Sequence, residues 1–394
     1  MGMAMIHLMM KVTRLIRQPV FLICLILSLG TLFTQAGNPV FCTRGITEFF
    51  RIVDILKQDK DPTEEDWNLF NDAPGYKELA EMEFGRRYLR DLITVAYKPS
   101  EQKNEKEILD KYRKKDRYYE MFAEGTLSDF KEAGQYRTEI LDFVGYITSR
   151  EVIREIEQNV SEYIEDAKLD STFRINFIVF GDSRGYDPII IGITNPGKYS
   201  KEEEACLKSR GESIYLPTVL LMAHEAFHNI RNRRISYNEP EKKSGDQQIV
   251  EILDKIQNEG TGDQINVPKV NSPESCFPDS RDTKRILQEQ KFQYAIVHAI
   301  DYFLTQIAGN EALKADLGRA IGSMVTRSGH PTGYYMSSVI VARLGKAELK
   351  KISTNPFRFF ITYNRAAKMS PGTPDFSDAA IAFIQNLENK YIKK

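Results

Sequence analysis

Apolar residues recur at helical spacing through much of this chain. The clearest series lies in residues 140–164, where isoleucine, leucine or valine returns mostly every three or four positions. This spacing places apolar side chains on one face of a helix and charged side chains on the other. Residues 46–168 are therefore predicted to form several packed amphipathic helices.

The pattern then changes to runs that favour β-strands. Residues 173–180 read FRINFIVF and residues 189–193 read IIIGI, which are rich in β-branched and aromatic side chains. A glycine-containing stretch separates them and predicts a turn, so the two runs are predicted to pair as a hairpin. A third short strand is predicted at residues 213–216, just before a helix that starts at Pro217.

Helical spacing returns at residues 247–258 and dominates residues 282–394, where Asn355 and Ser377 are predicted to precede helices. Residues 264–281 contain three prolines and are predicted to form an irregular loop. The predicted fold class is α+β and predominantly helical, with a small β-sheet beside the helix that Pro217 starts.

The chain begins with features of an export signal. Basic residues precede an apolar run at residues 20–33, and Thr34-Gln35-Ala36 offers small side chains for cleavage. The run is shorter than the roughly 20 residues that span a bilayer. Residues 1–36 are predicted to be a signal peptide, with an uncleaved anchor as the alternative. The mature protein is then expected in the periplasm, on the cell surface or outside the cell, without a membrane span.

Two regions are predicted after the signal peptide. Residues 37–170 form a helical N-terminal region, and residues 171–394 form a second region that contains the predicted sheet. Cys42, Cys206 and Cys276 lie in these regions. Export permits a disulfide, but three cysteines leave one unpaired, and their spacing does not select the pair.

Composition and charge argue against a nucleic-acid partner. Of the 394 residues, 42% are hydrophobic, which is sufficient for a sizeable core. The 54 basic and 55 acidic residues are closely interleaved, and the net charge is −1. The basic surface that nucleic-acid binding requires is not predicted.

The apolar run at residues 220–231 contains the pattern H-E-x-x-H, formed by His224, Glu225 and His228. Residues four apart lie on one face of a helix, so both imidazoles can bind one cation while Glu225 lies beside it. Two of the five histidines in the chain occur at this spacing. The pattern predicts a zinc site.

A second pattern, Asn258-Glu259-x-x-x-Asp263, follows His228 by about 31 residues, a separation that suits an antiparallel helix. The predicted ligands of one Zn²⁺ per chain are His224, His228 and Glu259. This set leaves a fourth position for water, which is typical of catalytic zinc. Glu225 is predicted to take the proton of that water and to pass it to a leaving amine.

These two motifs resemble those of the gluzincin class of zinc metallopeptidases, which includes the thermolysin-like enzymes. The chain also resembles an uncharacterised family of bacterial exported proteins described as zinc-dependent peptidases, which share a stretch found here at residues 329–336. Together the motifs cover about residues 214–340. The chain departs from the thermolysin-like pattern in a longer gap between motifs and in Gly260 and Gly262, which are expected to loosen the helix near Asp263.

The resemblance implies further roles at the site. Asp263 is expected to accept the second ring N–H of His224 and so to fix its tautomer. His330 and one of Tyr334 and Tyr335 are candidate donors to the oxyanion that forms during peptide hydrolysis, and the choice of tyrosine stays open. His298 lies among apolar residues and is expected to be an ordinary buried histidine.

The leading hypothesis is an exported zinc metallopeptidase that acts on a peptide or protein substrate, in endo or exo mode. The strand at residues 189–193 either pairs with an extended substrate or packs on the active helix. One alternative is a zinc-dependent hydrolase of other substrates, since the same chemistry attacks other carbonyls. Another is an inactive helical binding protein that carries the motif by chance.

Overall fold

A computed structural model describes residues 40–393 of the chain, except 82–84, 115, 116, 148, 182, 186 and 243. The predicted signal peptide, residues 1–36, lies outside the described residues. Among the helices that are described, none has the length and hydropathy needed to cross a bilayer.

Helices dominate the N-terminal region, as predicted. They are α1 Arg44–Leu56, α2 Glu64–Asn71, α3 Tyr76–Leu79, α4 Gly85–Tyr97, α5 Glu105–Arg113, α6 Arg117–Gln135, α7 Arg137–Ile147 and α8 Arg150–Ser161. Their apolar faces pack on one another, and Phe49 of α1 contacts Phe130 of α6 with both side chains fully buried. Burying such a side chain stabilises the fold by about 1.5–3 kcal/mol.

A three-stranded parallel sheet joins the two predicted regions. Its strands are β1 Val40–Cys42, β2 Arg174–Ile178 and β3 Ile189–Gly192, in the order β1-β2-β3. Phe41 lies opposite Ile175, and Asn176 lies opposite Ile190. The central strand β2 is buried after its first residue, as expected for a strand covered on both faces. The division of the chain at residue 170 stays a prediction.

Two expectations about this sheet were wrong. The runs at residues 173–180 and 189–193 do form strands, but they pair in parallel and not as a hairpin. Antiparallel pairing occurs instead between Arg184 and Ile190, whose backbone groups exchange two hydrogen bonds. The third strand is β1, whereas residues 213–216 form a turn in which the Ser213 hydroxyl accepts the Tyr215 N–H.

The second region is also mainly helical. Its helices are α9 Lys201–Ser209, α10 Leu216–Arg233, α11 Gly245–Val270, α12 Arg281–Gln290, α13 Gln293–Gly309, α14 Lys314–Met324, α15 His330–Leu344, α16 Lys346–Lys351, α17 Pro356–Lys368 and α18 Asp378–Tyr391. The predicted helix starts are confirmed: Pro217 lies in the first turn of α10, and Asn355 and Ser377 cap α17 and α18 with their side chains.

The long helix α11 corrects two further expectations. It continues through Gly260 and Gly262 without a break and includes Pro268, so the predicted loop at residues 264–281 is helical up to Val270 and irregular over residues 271–280. Gly260 is needed for packing, because a methyl group there would lie 2.2 Å from the carbonyl carbon of Gly333 in α15. The two helix backbones therefore touch, and this contact outweighs the low helix propensity of glycine.

Cys206 and Cys276 form a disulfide with 5.6 Å between their Cα atoms, while Cys42 is a free thiol. The bond joins α9 to the segment that follows α11. It therefore links the segment after the C-terminal end of α11 covalently to α9, the helix that precedes α10.

Candidate metal centre

Helix α10 carries the H-E-x-x-H residues in a buried setting. Residues on all sides of its central turns are buried, because the helix packs between the sheet, α8 and α11. The exposed fractions of His224, Glu225 and His228 are only 4%, 8% and 7%. The Nε2 atoms of the two histidines are 2.8 Å apart, so both imidazoles face the same point.

Glu259 of α11 completes a cluster with these two histidines. Its Oε2 lies 3.1 Å from His228 Nε2 and 3.6 Å from His224 Nε2. One ligand atom from each of the three residues lies within 4.8 Å of those from the others, close enough to hold a metal ion.

The buried oxygen of Glu259 supports a cation at this point. Within the described part of the chain, Glu259 Oε2 makes no hydrogen bond, although it is inaccessible to solvent. A buried carboxylate oxygen without a hydrogen bond is costly unless a positive charge lies beside it, and a bound cation supplies that charge. Imidazole nitrogens and a carboxylate oxygen are ligands that suit zinc. The residues present therefore fit the ion that the sequence predicts.

The charges in the cluster favour a bound cation. Burial lowers the pKa of His228, but mainly the nearby Glu259 carboxylate reverses this effect and brings the pKa to about 9. Burial acts to raise the pKa of Glu259, yet the positive charge of the nearby imidazoles, chiefly that of His228, holds that pKa well below its ordinary value. Protons therefore occupy, in the metal-free protein, positions that a metal ion can take.

Asn258 orients His228. Its Oδ1 lies 2.9 Å from His228 Nδ1, a distance at which the ring N–H donates to the amide oxygen. This contact leaves the Nε2 lone pair directed toward Glu259, as metal binding requires. Asn258 was not among the predicted site residues, although its position directly before Glu259 in the motif is a signal for such a role.

Asp263 lies at the site but is closer to a different histidine than predicted. Its Oδ1 is 3.8 Å from His224 Nδ1, which is too long for a hydrogen bond. Both of its carboxylate oxygens lie 3.0 Å from Nδ1 of His330. Asp263 therefore orients His330 directly.

His330 begins helix α15 and faces the cluster. Its Nε2 lies 3.2 Å from Glu259 Oε2, and its ring is nearly parallel to that of His224, with centroids 5.7 Å apart. Burial lowers the pKa of His330, but the carboxylates of Asp263 and Glu259 together raise it above the ordinary value. With 27% of its side chain exposed, His330 is the most open of these groups.

The two candidate tyrosines point in different directions. Tyr334 follows His330 by one helical turn. The pKa of Tyr334 is raised chiefly by burial, and the charge of Asp263 contributes to the increase. Tyr335 instead lies against Tyr363, with ring centroids 6.5 Å apart. The structure thus brings Tyr334, and not Tyr335, to the side of the helix that faces Asp263.

Two contacts near Glu225 and His228 were not foreseen. A methyl group at Gly185 would lie 2.7 Å from Glu225 Oε2, so the backbone beside β3 packs directly on the predicted base. Arg231 is completely buried, and its guanidinium donates to the carboxylate of Asp254 and to Gln257 Oε1. These bonds join α10 to α11 next to the metal ligands.

His298 differs from expectation. It is exposed on α13, where its ring contacts Tyr294 with centroids 4.6 Å apart. The apolar neighbours that suggested burial lie on the other faces of the helix.

Comparison with known proteins gives one match. A family model described as "Putative zinc dependent peptidase (DUF5700)" matches residues 67–372, which is more than half of the chain and includes all the residues of the cluster. The comparisons with curated proteins and with solved structures found no match.

Proposed function

The chain belongs to the family described as "Putative zinc dependent peptidase (DUF5700)", and we propose that it hydrolyses peptide bonds with a zinc ion held by His224, His228 and Glu259. The observation that carries this proposal is the buried Glu259 oxygen, which faces the Nε2 atoms of both motif histidines and makes no hydrogen bond among the described residues.

Zinc, when bound, supplies a Lewis acid and lowers the pKa of a water molecule in its fourth coordination position. Glu225 lies between the two histidine ligands in sequence but outside the ligand set. Its carboxylate accepts the proton of the attacking water and later donates that proton to the leaving amine nitrogen. The contact with Gly185 limits where this carboxylate can lie.

His330 is the proposed donor to the substrate carbonyl oxygen. Its Nδ1–H is held by Asp263, so its Nε2 points toward the cluster from the more open side. A protonated Nε2 donates a hydrogen bond to the oxygen as negative charge develops there. Tyr334 is the second candidate donor, because it lies on the same side of α15.

The gluzincin class is the proposed relationship within zinc peptidases. The support is the pairing of His224 and His228 on one helix with Glu259 on an adjacent helix. In contrast to the expected pattern, the carboxylate of Asp263 lies at hydrogen-bond distance from His330 and farther from His224.

We also propose export to the periplasm, the cell surface or the medium. The apolar segment and cleavage pattern in residues 1–36 favour it. The disulfide between Cys206 and Cys276 adds support, because such bonds persist mainly in oxidising compartments.

The metal site and the base are tested together with one variant. Purified mature protein should contain one zinc per chain and lose peptide hydrolysis on chelation. Glu225→Gln should keep zinc but lose turnover by about 100- to 10,000-fold, whereas Glu202→Gln, on an exposed position of α9, should keep both. Full activity of Glu225→Gln would reject the assigned base.

Substrate profiling separates the remaining alternatives. If the protein hydrolyses esters or non-peptide amides but does not hydrolyse peptides, a zinc-dependent hydrolase of another class is favoured. A protein that neither contains nor takes up zinc would favour a helical binding protein.

A further inference from the structure

We infer that Gly262 is a positioning residue, which seats both metal-binding imidazoles against bare helix backbone and thereby sets their distance from Glu259. The inference rests on the proposed metal site. It assigns a role to a glycine that otherwise weakens the helix in which it lies.

Gly262 lies on the site face of α11. Glu259, Gly262 and Asp263 are three and four positions apart, so they share one side of the helix. A methyl group on Gly262 would lie 3.0 Å from Cε1 and 3.2 Å from Nδ1 of His224, and 3.2 Å from Cε1 of His228. Both rings therefore rest on the same backbone position.

Neither ring has an easy way to move aside. Asn258 holds His228 through Nδ1, and the ring of His330 lies nearly parallel to that of His224. The helices themselves are braced by the contact between Arg231 and Asp254. A side chain at position 262 must therefore shift the imidazoles relative to Glu259 or push the helices apart.

Apart from these contacts, the glycine at position 262 lowers the stability of the helix. Glycine in a helix interior is less stable than alanine, because it loses more backbone freedom on folding. Without the imidazole contacts, an alanine here should stabilise the protein. Gly125, which is exposed within α6 and has open space around it, provides the matched control for this effect.

The experiment compares Gly262→Ala with Gly125→Ala, using zinc affinity by competition with a chelating dye and thermal unfolding of the metal-free proteins. Gly262→Ala should bind zinc about 10- to 100-fold more weakly, as for other changes beside metal ligands, while Gly125→Ala should bind as the wild type does. The metal-free Gly125→Ala protein should unfold at a higher temperature than wild type, and the Gly262→Ala protein should not.

Removal of both imidazoles isolates their contact with position 262. In a chain that carries both His224→Ala and His228→Ala, the added change Gly262→Ala should raise the unfolding temperature as Gly125→Ala does. This arm remains informative if Gly262→Ala alone fails to fold, since folding restored by the histidine changes supports the inference and continued failure overturns it.

Unchanged zinc affinity in Gly262→Ala would overturn the inference while leaving the proposed function intact. Absence of zinc binding in the wild type would overturn the proposed function, and the metal-free comparison would still decide whether Gly262 seats the rings.

Discussion

Zinc affinity should keep rising with pH beyond the range in which an ordinary histidine becomes neutral. Glu259 Oε2 lies 3.1 Å from His228 Nε2. This contact raises the pKa of His228 from 6.5 to about 9 in the metal-free protein, although burial opposes the change. Only a neutral imidazole binds the metal, so zinc must displace the proton.

The size of the effect follows from the distance between pH and pKa. At pH 7 His228 is about two pH units below its pKa, so the bound proton weakens apparent zinc affinity about 100-fold, or about 3 kcal/mol. Glu259 adds no proton, since its pKa is held well below the ordinary value. Burial lowers the pKa of His224, but the neighbouring carboxylates raise it above its ordinary value, so affinity should rise at least about tenfold for each pH unit through the neutral range.

Calorimetric titration of the metal-free protein between about pH 6 and pH 8, in buffers of different ionisation enthalpy, measures both quantities. We expect release of about one proton or more per zinc ion, with no plateau below pH 8. NMR titration of metal-free Glu259→Gln should show the pKa of His228 falling, because burial remains and the carboxylate is gone. An affinity that levels off near pH 6.5 would refute the reasoning.

The remaining predictions concern stability, hydrogen bonding and the disulfide. Because the pKa of His228 is raised on folding, its contribution to metal-free stability is complete below about pH 6.5 and lost as pH rises through about 9. Denaturant unfolding at a series of pH values measures this loss, and a free energy of unfolding that does not change over this range would contradict it. Asp263→Asn should weaken zinc binding or turnover about 10- to 100-fold, measured by metal competition and steady-state kinetics. His330→Gln should retain zinc and lose about 100- to 1,000-fold in kcat, whereas loss of the metal would make His330 a ligand. Reduction of the bond between Cys206 and Cys276 should cost about 2–5 kcal/mol in unfolding experiments, and equal stability with and without reductant would exclude that contribution.

Local geometry explains what could be predicted from the sequence. His224 and His228 lie four positions apart, and a helix converts that separation directly into one shared face. The start of α10 was predicted for a similar reason, since Pro217 suits a first helical turn. The approach of Glu259 was anticipated because its separation of about 31 residues from His228 suits a second helix that runs antiparallel to the first.

Long-range packing explains most of what could not be predicted. Strand β1 pairs with β2 although more than 100 residues separate them, and no local pattern specifies such a partner. Gly260 and Gly262 weaken a helix by propensity, but their lack of side chains admits Gly333 and the imidazoles. Asp263 contacts His330 because α15 crosses α11 beside it. The spacing of the two motifs in the sequence does not determine where this crossing lies.

The ion pair between the fully buried Arg231 and the partly buried Asp254 has a consequence for how related sequences diverge. Removing Asp254 leaves the buried guanidinium of Arg231 without its counter-charge and costs up to about 3–5 kcal/mol, whereas replacing both residues with apolar ones can be nearly neutral. Substitutions at positions 231 and 254 should therefore occur jointly across homologues, as a covarying pair recognisable in an alignment even where the surrounding surface has drifted.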